Sequence, residues 1–455
     1  MTKSDLNKKM RGGLKKATSL ISRGQLAEAG LILDSLEQSY PGHPAIKYQQ
    51  EKLLSGFGDR KVAKGKHSCD FPTMLSFAHS LRQQGKFREA IRVCEGLIKI
   101  DEKVAEVFWE KGCAEQADGQ YESAILSFSR LLSLDDSSAA AFNNLGACFQ
   151  KVKKFNESEF MYRSALKVRP DYSEARKNLG NLYIEAGDYH KAAVELRSFG
   201  DARSRAQVLE CLYRLERFSD YQSAAEELAS IQPDNIRAAA TSSFISQQIS
   251  QDNPFRFCPD PLDFIQVGDV ETYVEDKEIF VERSLSFLEK LDSKWEPMNK
   301  TTKLGYQSEV NLFDLYPAQM REVRNICELE LLRYREKYIS QNCGLIIRWP
   351  ENFDFNAWFV RLGKGGCQES HIHPSGWVSG VIYLQTVLNP QANEGAIQFS
   401  PHGFDLPIIN QLPQSLTLQP ERGQIILFPS SLFHKTVPLR QDVDRTVIAF
   451  DLRPL

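Results

Sequence analysis

Between residues 71 and 235 small and apolar side chains return at a fixed spacing. Ala78, Gly112, Gly146 and Gly180 are evenly spaced, each the same distance along the chain from the next. Nine positions after each comes an aromatic (Phe87, Tyr121, Phe155, Tyr189), and twelve after each a small residue (Ala90, Ala124, Ser158, Ala192). That period, with two small positions per copy, predicts pairs of helices that cross closely and stack on the next pair. The run "AAAFNNLGACFQKVKKFNESEFMYRSALKVRPDY" is the clearest copy. An earlier copy, "ATSLISRGQLAEAGLILDSLEQSYPGHP", has Gly24, Ala29 and Pro41 at matching offsets, and a later one, "VLECLYRLERFSDYQSAAEELASIQPDN", reaches Pro233. The copy beginning near Ser173 is short by about five residues, and about six units are expected in all. Lys61 to Lys66, basic and rich in small residues, is expected to be a loop between the first two units.

The helical spacing stops after Ser250, at the proline-rich "QDNPFRFCPDPLDF". Residues 271–295 and 317–340 still read as helices. From Gly344 the period becomes two, in short runs separated by Gly, Pro and Asn: "GLIIRW", "FNAWFVRL", "QESHIH", "GWVSGVIYL", "GAIQFS", "SLTLQ", "GQIILFP", "LFHKTVP" and "RTVIAFDL". About eight such strands in ~110 residues predict a double-stranded β-helix, the jelly roll. The expected fold class is multidomain α + β. An N-terminal α-helical solenoid spans 8–236, a linker 237–270, and a C-terminal jelly roll with flanking helices 271–455.

Composition narrows the function classes. The chain is 42% hydrophobic and 25% charged with a net charge of −3, so no general basic field favours nucleic acid. Lys3, Lys8, Lys9, Arg11, Lys15 and Lys16 are not followed by the apolar core of a signal peptide, and read as a solvated helix start. No apolar run approaches the ~20 residues of a membrane helix. Nine cysteines, an odd number with no CxxC, fit reduced thiols and a cytoplasmic location. Cys94, Cys113, Cys148 and Cys211 fall where the helical repeat packs small residues.

Histidine is scarce, at 8 in the whole chain, yet His371 and His373 are separated by a single position. Residues i and i+2 of a strand share a face. His434 lies far downstream of them, and Arg445 eleven positions beyond His434. Ligands from one strand and from a distant one meet only if the sheet wraps over itself. Neutral imidazoles suit Fe, Zn or Cu. Asn356, Trp358, Arg361, Gln368 and Ser379 are candidates for the cavity wall, and His402 for its rim.

These residues carry two resemblances. The evenly spaced helical copies resemble the tetratricopeptide repeat, whose first helices line a concave face; here these bear Asn143, Asn144, Lys177 and Asn181. Asn144, Asn178 and Asn181 resemble the amides that clamp peptide backbones in that family, which implies a protein or peptide partner. Over roughly 255–455, "KLGYQSEVNLF", "NAWFVRLGKGGCQESHIHPSGWVSGVIYL" and "GQIILFPSSLFH" resemble a 2-oxoglutarate/Fe(II) oxygenase family often fused to such repeats, with prolyl-hydroxylase-like features. The resemblance implies Fe(II) on His371, His373 and His434, 2-oxoglutarate as cosubstrate and O2. It implies that Arg445 and Tyr383 bind the remote carboxylate, with Ser379 and Arg361 as further candidates on the cosubstrate side. The implied activity is a dioxygenase, a hydroxylase acting on a protein or peptide recruited by the repeats. The chain departs from the family at His373, where a carboxylate is usual. A site of two histidines, with His373 turned away, stays open. So do a non-catalytic repeat scaffold with a degenerate jelly roll and a cupin-like metalloenzyme without 2-oxoglutarate.

Overall fold

The computed structural model describes residues 3–23, 26–39, 46, 49, 71–297 and 300–455. The expected loop Lys61–Lys66, and Gly24 and Pro41 of the first copy, lie outside these residues. Twelve of the described helices follow one another in pairs: α1 (Lys3–Arg23) and α2 (Leu26–Ser39), α3 (Phe71–Gln83) and α4 (Phe87–Ile100), α5 (Ala105–Ala117) and α6 (Tyr121–Leu134), α7 (Ala139–Lys151) and α8 (Phe155–Val168), α9 (Ser173–Glu185) and α10 (Tyr189–Arg197), α11 (Ala202–Arg214) and α12 (Phe218–Ile231). From α4 on, each second helix opens at its aromatic. Two positions earlier the chain turns through positive φ: Gly85 (74°), Gly119 (79°), Lys153 (59°), Gly187 (78°) and Glu216 (56°). Glycine enters that region without Cβ strain. The first four of these turns are evenly spaced, and the last follows Gly187 at a shorter interval, so the shortened copy lies where the spacing predicts it.

The small positions are where paired helices meet. Ala78, Ala124, Ser158 and Ala192 are fully buried. Ser158 is tolerated among alanines because its hydroxyl donates to the Gly146 carbonyl at 2.8 Å. A Cβ on Gly146 would lie 2.8 Å from the Tyr162 ring, and one on Gly112 2.8 Å from Phe128.

The chain divides into two compact units, Met1–Glu195 and Leu196–Leu455. By contact the division falls after Glu195 rather than at the expected boundary of 236, and the stretch expected as linker, 237–270, carries helix and strand. Helices α11 and α12 belong to the second unit, with α13 (Ile236–Ile249) and strand β1 (Gln266–Asp269). The reason is long-range contact. The Tyr213 hydroxyl donates to the Pro407 carbonyl (2.6 Å) and Arg214 to that of Asp405 (3.1 Å). The Gln248 side chain accepts the N–H groups of Ile409 (2.9 Å) and Asn410 (3.0 Å).

Ten strands among the described residues complete this unit: β1, β2 (Lys294–Trp295), β3 (Thr302–Gln307), β4 (Phe353–Gln368), β5 (Val378–Gln385), β6 (Ile397–Ser400), β7 (Leu416–Leu418), β8 (Gln424–Pro429), β9 (Phe433–Thr436) and β10 (Arg445–Pro454). They form a seven-stranded antiparallel sheet, β1-β8-β5-β10-β4-β3-β2, and a three-stranded one, β7-β6-β9. Val360, Leu362, Val381, Tyr383, Phe399, Ile426, Phe428, Val447 and Ala449 fill the space between them. The other face of the large sheet is covered by aromatic packing, Phe355 against Phe313 and Phe450. "GLIIRW" is not a strand: Gly344–Ile347 form a short helix. Its first N–H groups donate to the Arg256 (2.7 Å) and Phe257 (2.8 Å) carbonyls, so the run needs no ladder. Among the described residues no helix is long and apolar enough to cross a membrane.

The close approach at Gly146 makes the sign of a Gly→Ala change depend on position. Gly146→Ala should destabilise the helical unit by about 1–3 kcal/mol through overpacking against Tyr162. Gly96→Ala, inside α4 with open space around it, should stabilise by about 0.5–1 kcal/mol. Denaturant unfolding of the two variants checks this; the same sign for both would contradict the packing assignment.

Candidate metal centre

Three histidines converge where the two sheets meet. His371 follows the end of β4 and forms one antiparallel bridge with His434 of β9. Each donates its backbone N–H to the other's carbonyl, at 3.1 and 3.0 Å. The His373 N–H donates to the Ser430 carbonyl at 3.0 Å. The "QESHIH" run therefore lies outside the continuous ladders, yet its extended backbone keeps His371 and His373 on one side. The ring centroids are 4.3 Å apart for His371–His434, 5.1 Å for His371–His373 and 5.0 Å for His373–His434. One nitrogen from each ring lies within 4.8 Å of the others.

The hydrogen bonds select which nitrogen. His371 Nδ1 is 2.7 Å from the Glu369 carbonyl, His434 Nδ1 3.0 Å from the Leu432 carbonyl, and His373 Nδ1 2.5 Å from Asp451 Oδ1. All three acceptors require a proton on Nδ1, which leaves three Nε2 lone pairs. Burial, then the neighbouring His373, pushes the His371 imidazole down to about 3. Burial also holds His434 well below its ordinary value. Both stay neutral at physiological pH, as ligation requires.

A cavity of about 360 Å³ opens beside His371 and His373, lined also by Asn356, Trp358, Gln368 and Asp451 among others. Strand alternation fixes what faces the interior. On β10 Arg445, Val447, Ala449 and Asp451 share one face; on β5 Ser379, Val381 and Tyr383 do; the registers Asp451↔Ser379, Ala449↔Val381 and Val447↔Tyr383 put them side by side. Arg361 falls between the interior residues Val360 and Leu362, so it projects from the opposite face, away from the cavity. It is withdrawn as a cosubstrate contact. Ser379 is spent on its neighbours: its hydroxyl donates to Asp451 Oδ1 (2.7 Å) and lies 2.8 Å from the Ser430 hydroxyl. His402 is not beside the triad; its Nε2 donates to the Leu406 carbonyl at 2.8 Å and its ring packs 4.8 Å from Phe244.

Arg445 is 2% exposed, its guanidinium carbon 5.0 Å from the centre of the Tyr383 ring. Its Nε donates to the Gly395 carbonyl at 3.0 Å, whereas its Nη1 and the Tyr383 hydroxyl are buried with no hydrogen-bond partner. Such groups cost free energy unless something accepts from them. Burial lowers the Arg445 guanidinium and raises the Tyr383 hydroxyl from their ordinary values. Three imidazole nitrogens and two orphaned buried donors fit a divalent metal and a carboxylate-bearing molecule.

Two residues of the site were not foreseen. Asp451, just described, is one. Glu394 is the other: fully buried, its carboxylate accepts the backbone N–H groups of Gln391 (3.0 Å), Arg440 (2.6 Å) and Gln441 (2.9 Å). It pins the turn whose next residue, Gly395, holds Arg445. That turn needs glycine, since φ is +73° and a Cβ would meet Val387 at 2.9 Å.

In the first unit Asn144, Asn178 and Asn181 lie on the first helices of their pairs, α7 and α9. Asn178 donates to Asn143 at 2.9 Å, and Asn144 lies 3.9 Å from Cys113 Sγ.

Residues 356–451 match the family described as "Putative 2OG-Fe(II) oxygenase", and residues 75–139 and 149–198 match "Tetratricopeptide repeat". The chain thus carries tetratricopeptide repeats followed by a stretch that matches the oxygenase model. No curated protein matches it. Similar solved structures include MamA (21% identity, 36% of this chain and 93% of that one, TM-score 0.33). Others are YrrB, described as a TPR protein with an unusual peptide-binding site (18%, 37% and 90%, 0.34), and the first TPR of Spaghetti (RPAP3) bound to the HSP90 peptide SRMEEVD (18%, 28% and 99%, 0.26).

Backbone N–H groups, that of Gln391 foremost, hold the Glu394 carboxyl down to about 2 from its ordinary 4.5. A depressed carboxyl stabilises the fold fully above the unfolded value and loses that effect as pH falls through the folded one. Stability should therefore fall with pH from 4.5 towards 2. Glu394→Gln should be less stable at neutral pH and show a shallower acid slope. Denaturant unfolding across this range checks it; equal slopes would contradict the role assigned to the carboxylate.

Proposed function

We propose that the second unit is a 2-oxoglutarate- and Fe(II)-dependent dioxygenase, a hydroxylase acting on a protein or peptide recruited by the helical array. The observation that carries this reading is the pairing of three convergent imidazoles with a buried arginine and tyrosine lacking acceptors. A metal site alone needs no Arg445, so this pair separates the reading from a cupin-like enzyme. The asparagines of α7 and α9, the amides implied for a peptide backbone, supply the recruiting surface.

In this reading His371, His373 and His434 hold Fe(II) through Nε2. Bound iron with 2-oxoglutarate and O2 supplies the oxidising chemistry, with succinate and CO2 as by-products. Arg445 Nη1 and the Tyr383 hydroxyl donate to the C5 carboxylate, a charge-assisted contact that fixes the direction of the cosubstrate. Trp358 walls the cavity 5.4 Å from the His373 ring, ring centre to ring centre.

Iron-loaded protein should convert 2-oxoglutarate to succinate, and His371→Ala or His434→Ala should abolish Fe(II) binding while the helical unit stays folded. Arg445→Met should keep full iron stoichiometry but raise KM for 2-oxoglutarate by roughly tenfold to a hundredfold, the size expected for lost charged hydrogen bonds. Anaerobic iron analysis and succinate assays measure both. Normal iron content in the two alanine variants would remove the metal assignment, and an unchanged KM in Arg445→Met would remove the cosubstrate assignment.

A further inference from the structure

Asp451 stands apart from the other groups that orient the triad. His371 and His434 give their Nδ1 protons to main-chain carbonyls; His373 gives its proton to a carboxylate, at 2.5 Å. That carboxylate is built in. Asp451 is 4% exposed and lies on β10 between two partner strands, opposite Asn356 on one side and Ser379 on the other. The Ser379 hydroxyl donates to the same oxygen at 2.7 Å and lies 3.0 Å from His373 Nδ1, and Ser430, fully buried, lies 2.8 Å from Ser379. The chain passes this point without a side chain: a Cβ on Gly376 would meet the Ser430 hydroxyl at 2.6 Å and the Asp451 carboxyl carbon at 3.3 Å. Asp451 is not itself among the groups whose ligand atoms converge.

We propose that Asp451 is a positioning residue for the metal: it fixes His373 with its proton on Nδ1 and its Nε2 towards the ion, and returns, through that hydrogen bond, the negative charge that a three-histidine set lacks. This rests on the three-histidine site proposed above. A carboxylate hydrogen-bonded to a ligating imidazole orients the ring and raises the basicity of the ligating nitrogen. Ser379 and Ser430 hold the carboxylate in place, which accounts for two buried hydroxyls that face each other rather than the cavity.

The test is anaerobic titration of Co(II) and Fe(II) into the full chain, wild type against Asp451→Asn, Asp451→Ala and Asp451→Glu. In the Co(II) form, proton spectra also count the shifted, exchangeable imidazole N–H signals. Wild type should bind one ion and give three such signals. Asp451→Asn, close in shape, should keep the circular dichroism spectrum and bind roughly tenfold to a hundredfold more weakly, the usual effect of removing such a partner. Asp451→Ala should in addition lose one N–H signal to solvent exchange, and Asp451→Glu should recover part of the affinity. A folded Asp451→Asn with wild-type affinity and three unchanged signals overturns the inference and leaves the three-histidine site standing. A wild type that binds neither ion overturns both.

Discussion

β10 is hydrogen-bonded to β5 along one edge and to β4 along the other, and Asp451, Ser379, Arg445 and Tyr383 hang on that double register. With Asp451 opposite both Ser379 and Asn356, alternate residues of β10 point inward as one column from Asp451 to Arg445. A slip by a single position would turn that column to the outer face and bring Ile448, Phe450 and Leu452 into the interior. Arg445 and Asp451 would then be charges set against the aromatic packing of Phe355 and Phe313. The register is held because the outer column is apolar and fully buried: Ile448, Phe450 and Leu452 are each 0% exposed. Buried hydrophobic surface on one face thus fixes where the chemistry sits on the other.

The interior is arranged along the strands by polarity. The His373–Asp451–Ser379 contacts lie at one end, and the Arg445–Tyr383 pair begins four positions further along β5. That length of strand spans about 13 Å. Ala449 and Val381 lie between. Both ends carry buried polar atoms, and they are treated differently. At the Asp451 end the histidine, the aspartate and the serine have partners within the protein, and only the neighbouring Trp358 Nε1 lacks one. At the Arg445 end Nη1 and the Tyr383 hydroxyl are left without one, while Glu394 and Gly395 hold the guanidinium from behind. A site that immobilises its donors but leaves them unsatisfied is organised for an acceptor arriving from outside.

Much of this was legible in the chain itself. The even spacing from Ala78 to Gly180 shows because each helix pair packs only on its neighbours, so the constraint repeats in sequence. His371, His373, His434 and Arg445 show because rare residue types stand at spacings a strand can use. Strand parity sets Arg361 apart from the cavity wall: Trp358 and Arg361 differ by three, so they cannot share a face. "GLIIRW" was ambiguous because a short apolar run fits a buried helix turn as well as a strand. Asp451 was hidden in "RTVIAFDL", although a lone acid in a buried strand demands a partner, and counting six from Arg445 places it on the same face. The boundary near residue 196 could not be read at all. It depends on contacts such as Tyr213 with Pro407 and Gln248 with Ile409, between segments far apart along the chain, which leave no local pattern.

The central claim is that three imidazoles, each through Nε2, hold the iron. X-ray absorption at the iron edge of the anaerobically loaded full-length protein reads this directly, because rigid imidazole rings give a multiple-scattering signature whose amplitude counts them. The account predicts an amplitude for three imidazoles and no sulfur neighbour. An amplitude for two or fewer would contradict it.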